Sequence, residues 1–247
     1  MRIFGLIGNS LKHSYSEKFF TEKFRQEKIN DARYFLFPMS NIDEYRTLVQ
    51  RYQFSGLQVT NPFKQSIMGY LEALDEEASM VGAVNTIKFI KDGTKIITKG
   101  YNTDIAGFDA LLGNFSLPAG NSALILGTGG ASKAVAYILK KKEIPFHFVS
   151  RSPVDAEIFS YDSLTAKVVS ENRLIINATP AGLYPDIESF PGIPYEAVSK
   201  NHICIDLIYN PDKTVFMQKC EQMEAQVVNG LEMLWVQAEK SWEIWNQ

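Results

Sequence analysis

Short apolar runs alternate with amphipathic segments along most of the chain. The runs have the length of buried strands, and in the segments between them apolar positions recur at helical spacing. Strands and helices that alternate in this way favour parallel βαβ units, so the pattern predicts an α/β protein. The predicted strands are 2–7, 34–37, 56–60, 123–126, 146–150, 174–177, 203–207 and 225–228. The predicted helices are 42–52, 75–82, 104–112, 131–139, 213–223 and 231–245, with two more that begin near residues 16 and 63.

Two local signals add detail to this pattern. Apolar and polar residues alternate on both sides of Asp92 and Gly93, which predicts a β-hairpin with a two-residue type I′ turn. Ser16 stands just before an apolar helix face and is expected to be the N-cap of that helix, because a serine hydroxyl can accept a hydrogen bond from a free N–H of the first turn.

A glycine-rich stretch opens the second half of the chain. The apolar run 123–126 ends in the glycine cluster 127–130, and a helical pattern starts at Ala131. Glycines at such a turn let the backbone approach a pyrophosphate, to which the helix N-terminus presents free N–H groups. A dinucleotide-binding loop is therefore the favoured interpretation. Ser132 replaces the third glycine of the strict pattern, and a plain strand-to-helix turn remains the alternative.

The residues at the end of the next strand indicate which dinucleotide binds. That strand ends at Ser150, and Arg151 and Ser152 follow. An acidic residue at this point accepts a hydrogen bond from the ribose 2′-hydroxyl of NAD, whereas an arginine accommodates the 2′-phosphate of NADP. Since a guanidinium matches phosphate in charge and in its forked donors, Arg151 favours NADP. A solvated surface arginine is the alternative.

Length and composition exclude several classes of protein. The 247 residues suffice for two domains, and the loose, polar segment 113–122 predicts a division into 1–113 and 114–230. A net charge of −3 without a basic stripe argues against a nucleic-acid partner. Two cysteines by themselves make neither a disulfide framework nor a zinc site, so no metal is expected, and free thiols favour the cytoplasm. The sequence shows no signal-peptide or membrane-span pattern, so no membrane partner is expected.

Polar residues are concentrated near the ends of the predicted strands in the N-terminal half, where ligands bind in open α/β sheets. A lysine directly after a strand, paired with an aspartate, makes an acid/base unit that can move a hydroxyl proton. Lys64 and Asp104 are the candidates, although their spacing alone favours a surface lysine and a helix N-cap aspartate. The polar residues of this half are Ser14, Ser16, Thr60, Asn61, Lys64, Asn85, Asn102 and Asp104.

A series of motifs, taken in order, resembles the shikimate dehydrogenase family over nearly the whole chain. The N-terminal half carries a hydroxyl-rich loop, a lysine-containing turn and two further signature runs. The C-terminal half carries a cofactor loop, an arginine clamp and three more matches. The motifs are His13-Ser14-Tyr15-Ser16, Val59-Thr60-Asn61-Pro62-Phe63-Lys64, Gly82-Ala83-Val84-Asn85-Thr86, Asn102-Thr103-Asp104, 127–132, 150–152, 177–182, 206–209 with Thr214, and 230–238.

The resemblance implies a fold and an activity. The fold is an N-terminal α/β substrate domain followed by a Rossmann-type, doubly wound NADP-binding domain, with the last helix, 231–247, returning to complete the first domain. The activity is the reversible NADPH-dependent reduction of 3-dehydroshikimate to shikimate, a step toward chorismate and the aromatic amino acids. Two alternatives are a quinate/shikimate dehydrogenase with relaxed cofactor use and a non-catalytic NADP-binding regulatory protein. The expected protein is a monomer or homodimer whose partner is its small-molecule substrate.

The resemblance also implies the roles of individual residues. Lys64 and Asp104 are expected to be catalytic. The expected substrate-binding residues are Ser14, Ser16, Thr60, Asn85, Asp104, Tyr209 and Gln237. The expected cofactor-binding residues are Gly127, Thr128, Gly129, Gly130, Ala131, Ser150, Arg151, Ser152, Leu207 and Gly230.

Four positions depart from the family pattern. Glu17 stands where proline is usual, and Gln58 stands where an asparagine commonly contacts substrate. Ser150 replaces the asparagine of the clamp, and Asp155 stands where many members have a second arginine. Asp155 weakens the expectation for NADP, because Arg151 is then left alone to bind the 2′-phosphate.

Overall fold

A computed structural model describes residues 1–12, 14–117 and 120–247, so His13 of the first motif and residues 118 and 119 of the expected interdomain segment lie outside the described residues. The chain forms two compact units, 1–104 with 235–247, and 105–234. The division between these units falls at the start of a helix, one helix earlier than the expected domain boundary. No helix among the described residues is long and apolar enough to cross a membrane.

The first unit is built on a mixed six-stranded sheet with the strand order β2-β1-β3-β5-β6-β4. Strands β1, β2 and β3 are parallel, as the alternation of strands and helices predicts. Strands β5 and β6 form the predicted hairpin, which adds to β3 in the antiparallel sense. The strands are β1 (Arg2–Gly8), β2 (Ala32–Pro38), β3 (Phe54–Val59), β4 (Ala73–Leu74), β5 (Thr86–Asp92) and β6 (Lys95–Tyr101).

Three helices follow strands of this sheet in the chain, and part of the last helix joins them. They are α1 (Ser16–Gln26), α2 (Glu44–Arg51), α3 (Glu76–Val81) and, from Trp235 on, the final helix α8 (Leu231–Asn246). The indole of Trp245 in α8 stacks on Phe4 of β1 at 4.9 Å and donates a hydrogen bond to the Ile87 carbonyl of β5 at 3.0 Å. The expected return of the last helix to the N-terminal domain is thus confirmed.

The hairpin turn differs from the predicted one. Asp92 pairs with Lys95, so the two turn residues are Gly93 and Thr94 rather than Asp92 and Gly93. Gly93 has a φ of +59°, whereas Thr94 is not among the residues with positive φ. A type I′ turn needs positive φ at both central positions, so this turn fits type II′, which places glycine first. The type I′ prediction was wrong because the strand pairing extends one residue further than the sequence pattern indicated.

Two helix starts also differ from the predictions. Ser16 is the first residue of α1 rather than its N-cap, and its backbone N–H donates to the Ser14 hydroxyl at 3.2 Å. The helical stretch expected to begin at Phe63 starts as a turn and continues as a short 3₁₀ helix, Ser66–Tyr70. In both places a hydroxyl-rich or proline-containing loop shifts the start of regular structure along the chain.

The second unit contains a parallel six-stranded sheet with the order β9-β8-β7-β10-β11-β12. This is the doubly wound order of dinucleotide-binding domains, in which the switch point lies between the first and fourth strands, here β7 and β10. The strands are β7 (Ala123–Leu126), β8 (Phe146–Ser150), β9 (Phe159–Ser160), β10 (Leu174–Asn177), β11 (Ile203–Asp206) and β12 (Gln226–Val228). The expected fold class is confirmed.

The helices of the second unit are α4 (Asp104–Gly113, from its second residue on), α5 (Gly130–Lys141), α6 (Ala166–Glu171) and α7 (Val215–Gln222). All residues of β7 and β10 are buried, which explains why both strands read as continuously apolar. Strand β9, of two residues, and helix α6, of six residues, were not predicted from the sequence.

Candidate active site

The topology of the first sheet brings several loops to one edge. Strands β1 and β3 are parallel, with Ile7 opposite Val59. Strand β5 is antiparallel to β3, and β6 is antiparallel to β5, with Thr86 paired to both Gln58 and Tyr101. The carboxyl ends of β1, β3 and β6 therefore meet the start of β5. The side chains predicted for the substrate site follow or precede these strand ends.

Lys64 and Asp104 meet at this edge. Lys64 lies in the turn after β3, and Asp104 is the first residue of α4, directly after β6. Lys64 Nζ donates to Asp104 Oδ2 at 2.6 Å, and the two side chains are only 13% and 6% exposed. Lys64 is thus a largely buried lysine with a carboxylate partner and not a solvated surface lysine.

Asn85 holds the other oxygen of this carboxylate. Its Nδ2 donates to Asp104 Oδ1 at 2.9 Å, and its Oδ1 accepts the Thr103 backbone N–H at 2.7 Å. Each carboxylate oxygen of Asp104 therefore receives a donor, one charged and one neutral. These two bonds orient the Asp104 side chain and leave Lys64 beside it as the ammonium that can reach a ligand.

The remaining predicted substrate residues of the first unit lie on the same loops or on α8. Ser14 is half-buried and Ser16 is buried after β1, while Thr60 is half-buried at the end of β3. Gln237 of α8 is buried, and its Oε1 lies 3.4 Å from Asn85 Nδ2. The first unit thus brings together one lysine, one carboxylate, two carboxamides and three hydroxyl side chains, a set suited to a small polyhydroxylated ligand.

Gln58 contributes differently from the other residues. Its side chain is buried, accepts a hydrogen bond from Tyr34 and donates to Gln237 and Ser241. Nothing in the sequence distinguishes Tyr34 or Ser241 as a site residue. Tyr34 lies in an apolar strand pattern, and Ser241 lies in the pattern of the last helix.

The glycine cluster of the second unit has the geometry of an anion-binding turn. Gly127 has a φ of +102°, which glycine adopts without strain, and its N–H donates to the Val149 carbonyl at 2.8 Å. Thr128 and Gly129 are exposed, and a Cβ added at Gly129 would meet no atom of the described residues within 4 Å. Gly130 and Ala131 begin the twelve-residue helix α5. This turn leaves room and free N–H groups for a pyrophosphate, so the residues fit the nucleotide cofactor.

The turn after β8 offers a place for the other end of a dinucleotide. Arg151 and Ser152 are exposed, and Ser150 Oγ accepts the Ser152 N–H at 3.2 Å. A cavity of about 570 Å³ opens beyond this turn, lined by residues between Pro153 and Ser163 that include Asp155. Arg151 thus stands as an accessible cation at the carboxyl end of β8, with an acidic residue in the adjoining wall.

Leu207 and Gly230 are in direct backbone contact. The Gly230 N–H donates to the Ile208 carbonyl at 3.1 Å, and a Cβ at Gly230 would lie 2.2 Å from the Leu207 oxygen. Only glycine allows this approach, which places the start of α8 against the loop after β11. Tyr209 is half-buried on that same loop, so it belongs to the second unit.

Asp206 is a buried carboxylate at the end of β11, and its sequence position marks it only as part of the motif 206–209. It accepts hydrogen bonds from Thr214 Oγ1 at 2.6 Å, the Ile208 N–H at 3.0 Å and Asn177 Nδ2 at 3.1 Å. Thr214 is in turn the N-cap of α7. Burial raises the pKa of Asp206 to about 6 in spite of these donors. This cluster ties the ends of β10 and β11 to the start of α7 and supports the loop that carries Leu207 and Tyr209.

The raised pKa of Asp206 makes the stability of the protein depend on pH. Since the pKa of about 6 lies above the ordinary 3.8, the folded form binds the proton more tightly than the unfolded chain. The stabilisation is complete below pH 4 and is lost as the pH rises through 6. We expect the free energy of unfolding, relative to that of Asp206→Asn, to fall by about 2 kcal/mol between pH 4 and pH 6. Urea unfolding of both proteins at several pH values measures this, and a pH-independent difference would contradict it.

Comparison with known proteins places the chain in a family. The family model for the shikimate dehydrogenase substrate-binding domain matches residues 6–87. A shikimate dehydrogenase (NADP(+)) from Methanococcus maripaludis is 36% identical over an alignment that covers 99% of this chain and 91% of the relative. The chain belongs to the shikimate dehydrogenase family.

Solved structures of shikimate dehydrogenases share the fold over the full length. The crystal structure of shikimate dehydrogenase 1 from Peptoclostridium difficile is 35% identical, with a TM-score of 0.86, and the match covers 100% of this chain and 92% of that one. The Thermus thermophilus enzyme, in complex with NADP(H) and shikimate, is 28% identical with a TM-score of 0.85, covering 99% of this chain and 93% of that one. Both units of the chain are therefore those of a shikimate dehydrogenase.

Proposed function

We propose that this chain catalyses the reversible NADPH-dependent reduction of 3-dehydroshikimate to shikimate, a step of the pathway to chorismate and the aromatic amino acids. The observation that carries the proposal is the buried contact of 2.6 Å between Lys64 and Asp104, within a cluster of hydroxyl and amide side chains at one sheet edge. A carbonyl reduction needs a proton donor beside the reacting oxygen, and this pair supplies one.

Lys64 and Asp104 divide the acid/base work between them. When bound, NADPH supplies the hydride for the carbonyl carbon. The Lys64 ammonium donates a proton to the oxygen as negative charge develops there, and it takes the proton back from the hydroxyl in the oxidation. Asp104 orients the ammonium through Oδ2 and offers a carboxylate to the neighbouring ring hydroxyl.

The other polar residues of the first unit would hold the substrate. In this proposal Ser14, Ser16 and Thr60 donate or accept hydrogen bonds from one side, and Asn85 and Gln237 present their carboxamides from the other. Their support is burial at the same sheet edge and the contact of Asn85 with Asp104. Tyr209 is a further residue that we assign to substrate binding.

The second unit would hold the cofactor. Residues 127–131 would bind the pyrophosphate through backbone N–H groups, and residues 150–152 would bind the adenosine ribose, with Arg151 facing the 2′-phosphate. Leu207 and Gly230 would line the cofactor site from the loop after β11. Under this assignment the substrate domain comprises 1–113 with 231–247, and the cofactor domain comprises 114–230.

A steady-state assay of shikimate and quinate, each with NADP⁺ and with NAD⁺, tests the proposal. We expect shikimate with NADP⁺ to give the highest kcat/KM. Comparable rates with quinate would favour the relaxed quinate/shikimate dehydrogenase, and no turnover with any pair would favour the regulatory NADP-binding protein. Lys64→Ala protein, purified in parallel, measures the background of the host's own enzyme.

Two further assignments are part of the proposal. We infer a cytoplasmic location from the free cysteines Cys204 and Cys220, both of which are buried thiols. We expect a monomer or homodimer, and sedimentation analysis of the purified chain distinguishes the two.

A further inference from the structure

We propose that Gln58 is a positioning residue for substrate binding and acts through the carboxamide of Gln237. The inference rests on the proposed function, in which Gln237 contacts the substrate. Gln58 is only 2% exposed, and both ends of its amide are engaged inside the protein. Unlike Asn85, which donates directly to Asp104, Gln58 meets the site through Gln237, so its effect on substrate binding passes through that neighbour.

The negative charge of Asp104 determines how the neighbouring side-chain amides are oriented, beginning with Asn85. The Asp104 carboxylate can only accept, so Asn85 must turn its NH₂ group toward it, as it does at 2.9 Å. The Thr103 backbone N–H can only donate, so it requires the Asn85 oxygen on the other side, where it lies at 2.7 Å. Asn85 has one possible orientation as a result.

The orientation of Asn85 in turn helps to determine the orientation of the Gln237 carboxamide. The Oε1 atom of Gln237 faces Asn85 Nδ2 at 3.4 Å and Gln58 Nε2 at 2.9 Å. Two amide donors thus converge on its carbonyl oxygen. With the oxygen held on this side, the Gln237 NH₂ group must lie on the opposite side of the carboxamide.

Tyr34 completes the arrangement by holding Gln58. Its hydroxyl donates to Gln58 Oε1 at 2.6 Å, and its ring stacks on Phe20 at 4.4 Å and 13°. Gln58 Nε2 also donates to Ser241 at 3.2 Å. If the Gln58 amide turned over, its oxygen would face the Gln237 side-chain oxygen and also Ser241, whose hydroxyl already donates to the Gln237 backbone carbonyl at 2.8 Å, so the NH₂ group stays directed at Gln237.

Thr103 Oγ1 also donates to the Gln237 oxygen, at 3.4 Å, and the shortest of the three bonds to that oxygen comes from Gln58. Without it, the Gln237 carboxamide can rotate and present its carbonyl where a substrate hydroxyl or carboxylate oxygen needs a donor. The expected consequence is weaker substrate binding with little change in the chemical step, because Lys64 and Asp104 keep their own contact.

Gln58→Met tests this, since methionine has nearly the same length but has no amide. We expect the KM for shikimate to rise about tenfold, the effect of losing one well-oriented hydrogen bond. The kcat and the KM for NADP⁺ should stay within about twofold of the unmodified values. A fall in kcat at unchanged KM would overturn the inference.

A double-mutant cycle with Gln237→Ala separates positioning from a general structural effect. If Gln58 acts through Gln237, adding Gln58→Met to Gln237→Ala should raise the KM by less than about twofold. Additive effects would overturn the inference while leaving the proposed function intact. Absence of shikimate turnover by the unmodified chain would instead overturn the proposed function, and this inference with it.

A second variant serves as the control for an effect on folding. It removes the Tyr34 hydroxyl, which loses its acceptor in Gln58→Met. In Tyr34→Phe/Gln58→Met both polar groups are gone, so the Tm should return toward that of the unmodified chain while the KM for shikimate stays raised. Tyr45→Phe removes a phenol hydroxyl that is buried in the same unit but lies outside this set of bonds, and it should leave the KM unchanged. A KM that recovers together with the Tm would show that Gln58 serves folding alone.

Discussion

Replacing Lys64 with alanine should lower kcat for shikimate oxidation by about two to four orders of magnitude, the usual loss when a positioned acid/base is removed. The reason is that Lys64 Nζ, 2.6 Å from Asp104, is the ammonium held at the carboxylate where the reacting hydroxyl is proposed to bind. The KM for shikimate should change much less, because Ser14, Asn85 and Gln237 keep their positions. Steady-state kinetics with NADP⁺ as the oxidant measure both constants.

Lys99→Ala is the matched control. Lys99 lies on β6 in the same unit and pairs with Asp75 at 3.9 Å rather than with Asp104, and its side chain is 33% exposed. Its removal should leave kcat within about twofold, because an exposed ion pair contributes little. Near-normal turnover of Lys64→Ala, with the control behaving as expected, would remove Lys64 from the mechanism.

Replacing Arg151 with alanine should raise the KM for NADPH by about 10- to 100-fold and change the KM for NADH far less. The 2′-phosphate distinguishes the two cofactors, and Arg151 is the exposed cation at the carboxyl end of β8, where the adenosine ribose is expected. The measurement is the KM of each cofactor in the reduction of 3-dehydroshikimate.

Arg173→Ala serves as the matched control for Arg151. Arg173 is also an exposed arginine of the second unit, but it precedes β10 and so lies at the opposite edge of the parallel sheet. Its replacement should affect neither cofactor. Equal losses of NADPH and NADH binding in Arg151→Ala would mean that Arg151 does not recognise the 2′-phosphate.

The sequence by itself determined the features that depend on neighbouring residues. Apolar runs predicted strands such as β7 and β10 with their observed bounds, because a strand buried on both faces needs apolar side chains at nearly every position. The glycine cluster predicted a sharp strand-to-helix turn, and Gly127 indeed has the positive φ that favours glycine. Motif order identified the family, and with it the residues expected at the site.

Features that depend on distant residues were decided only by the tertiary structure. Lys64 and Asp104 are 40 positions apart and meet because β3 and β6 end at the same sheet edge. The exact hairpin turn followed from the pairing of β5 with β6, which overrode the local Asp-Gly preference. Loop and hairpin register are settled by packing energies that no short sequence window contains.

Gln58 shows the same division most clearly. Its sequence position marked it only as a departure from the family pattern. The folded chain brings α8 back across 179 positions, so that Gln58 meets Gln237 in a buried hydrogen bond. Local patterns select strands, helices and turns, whereas the direction of a buried amide depends on the partners that burial imposes, and these come from anywhere in the chain.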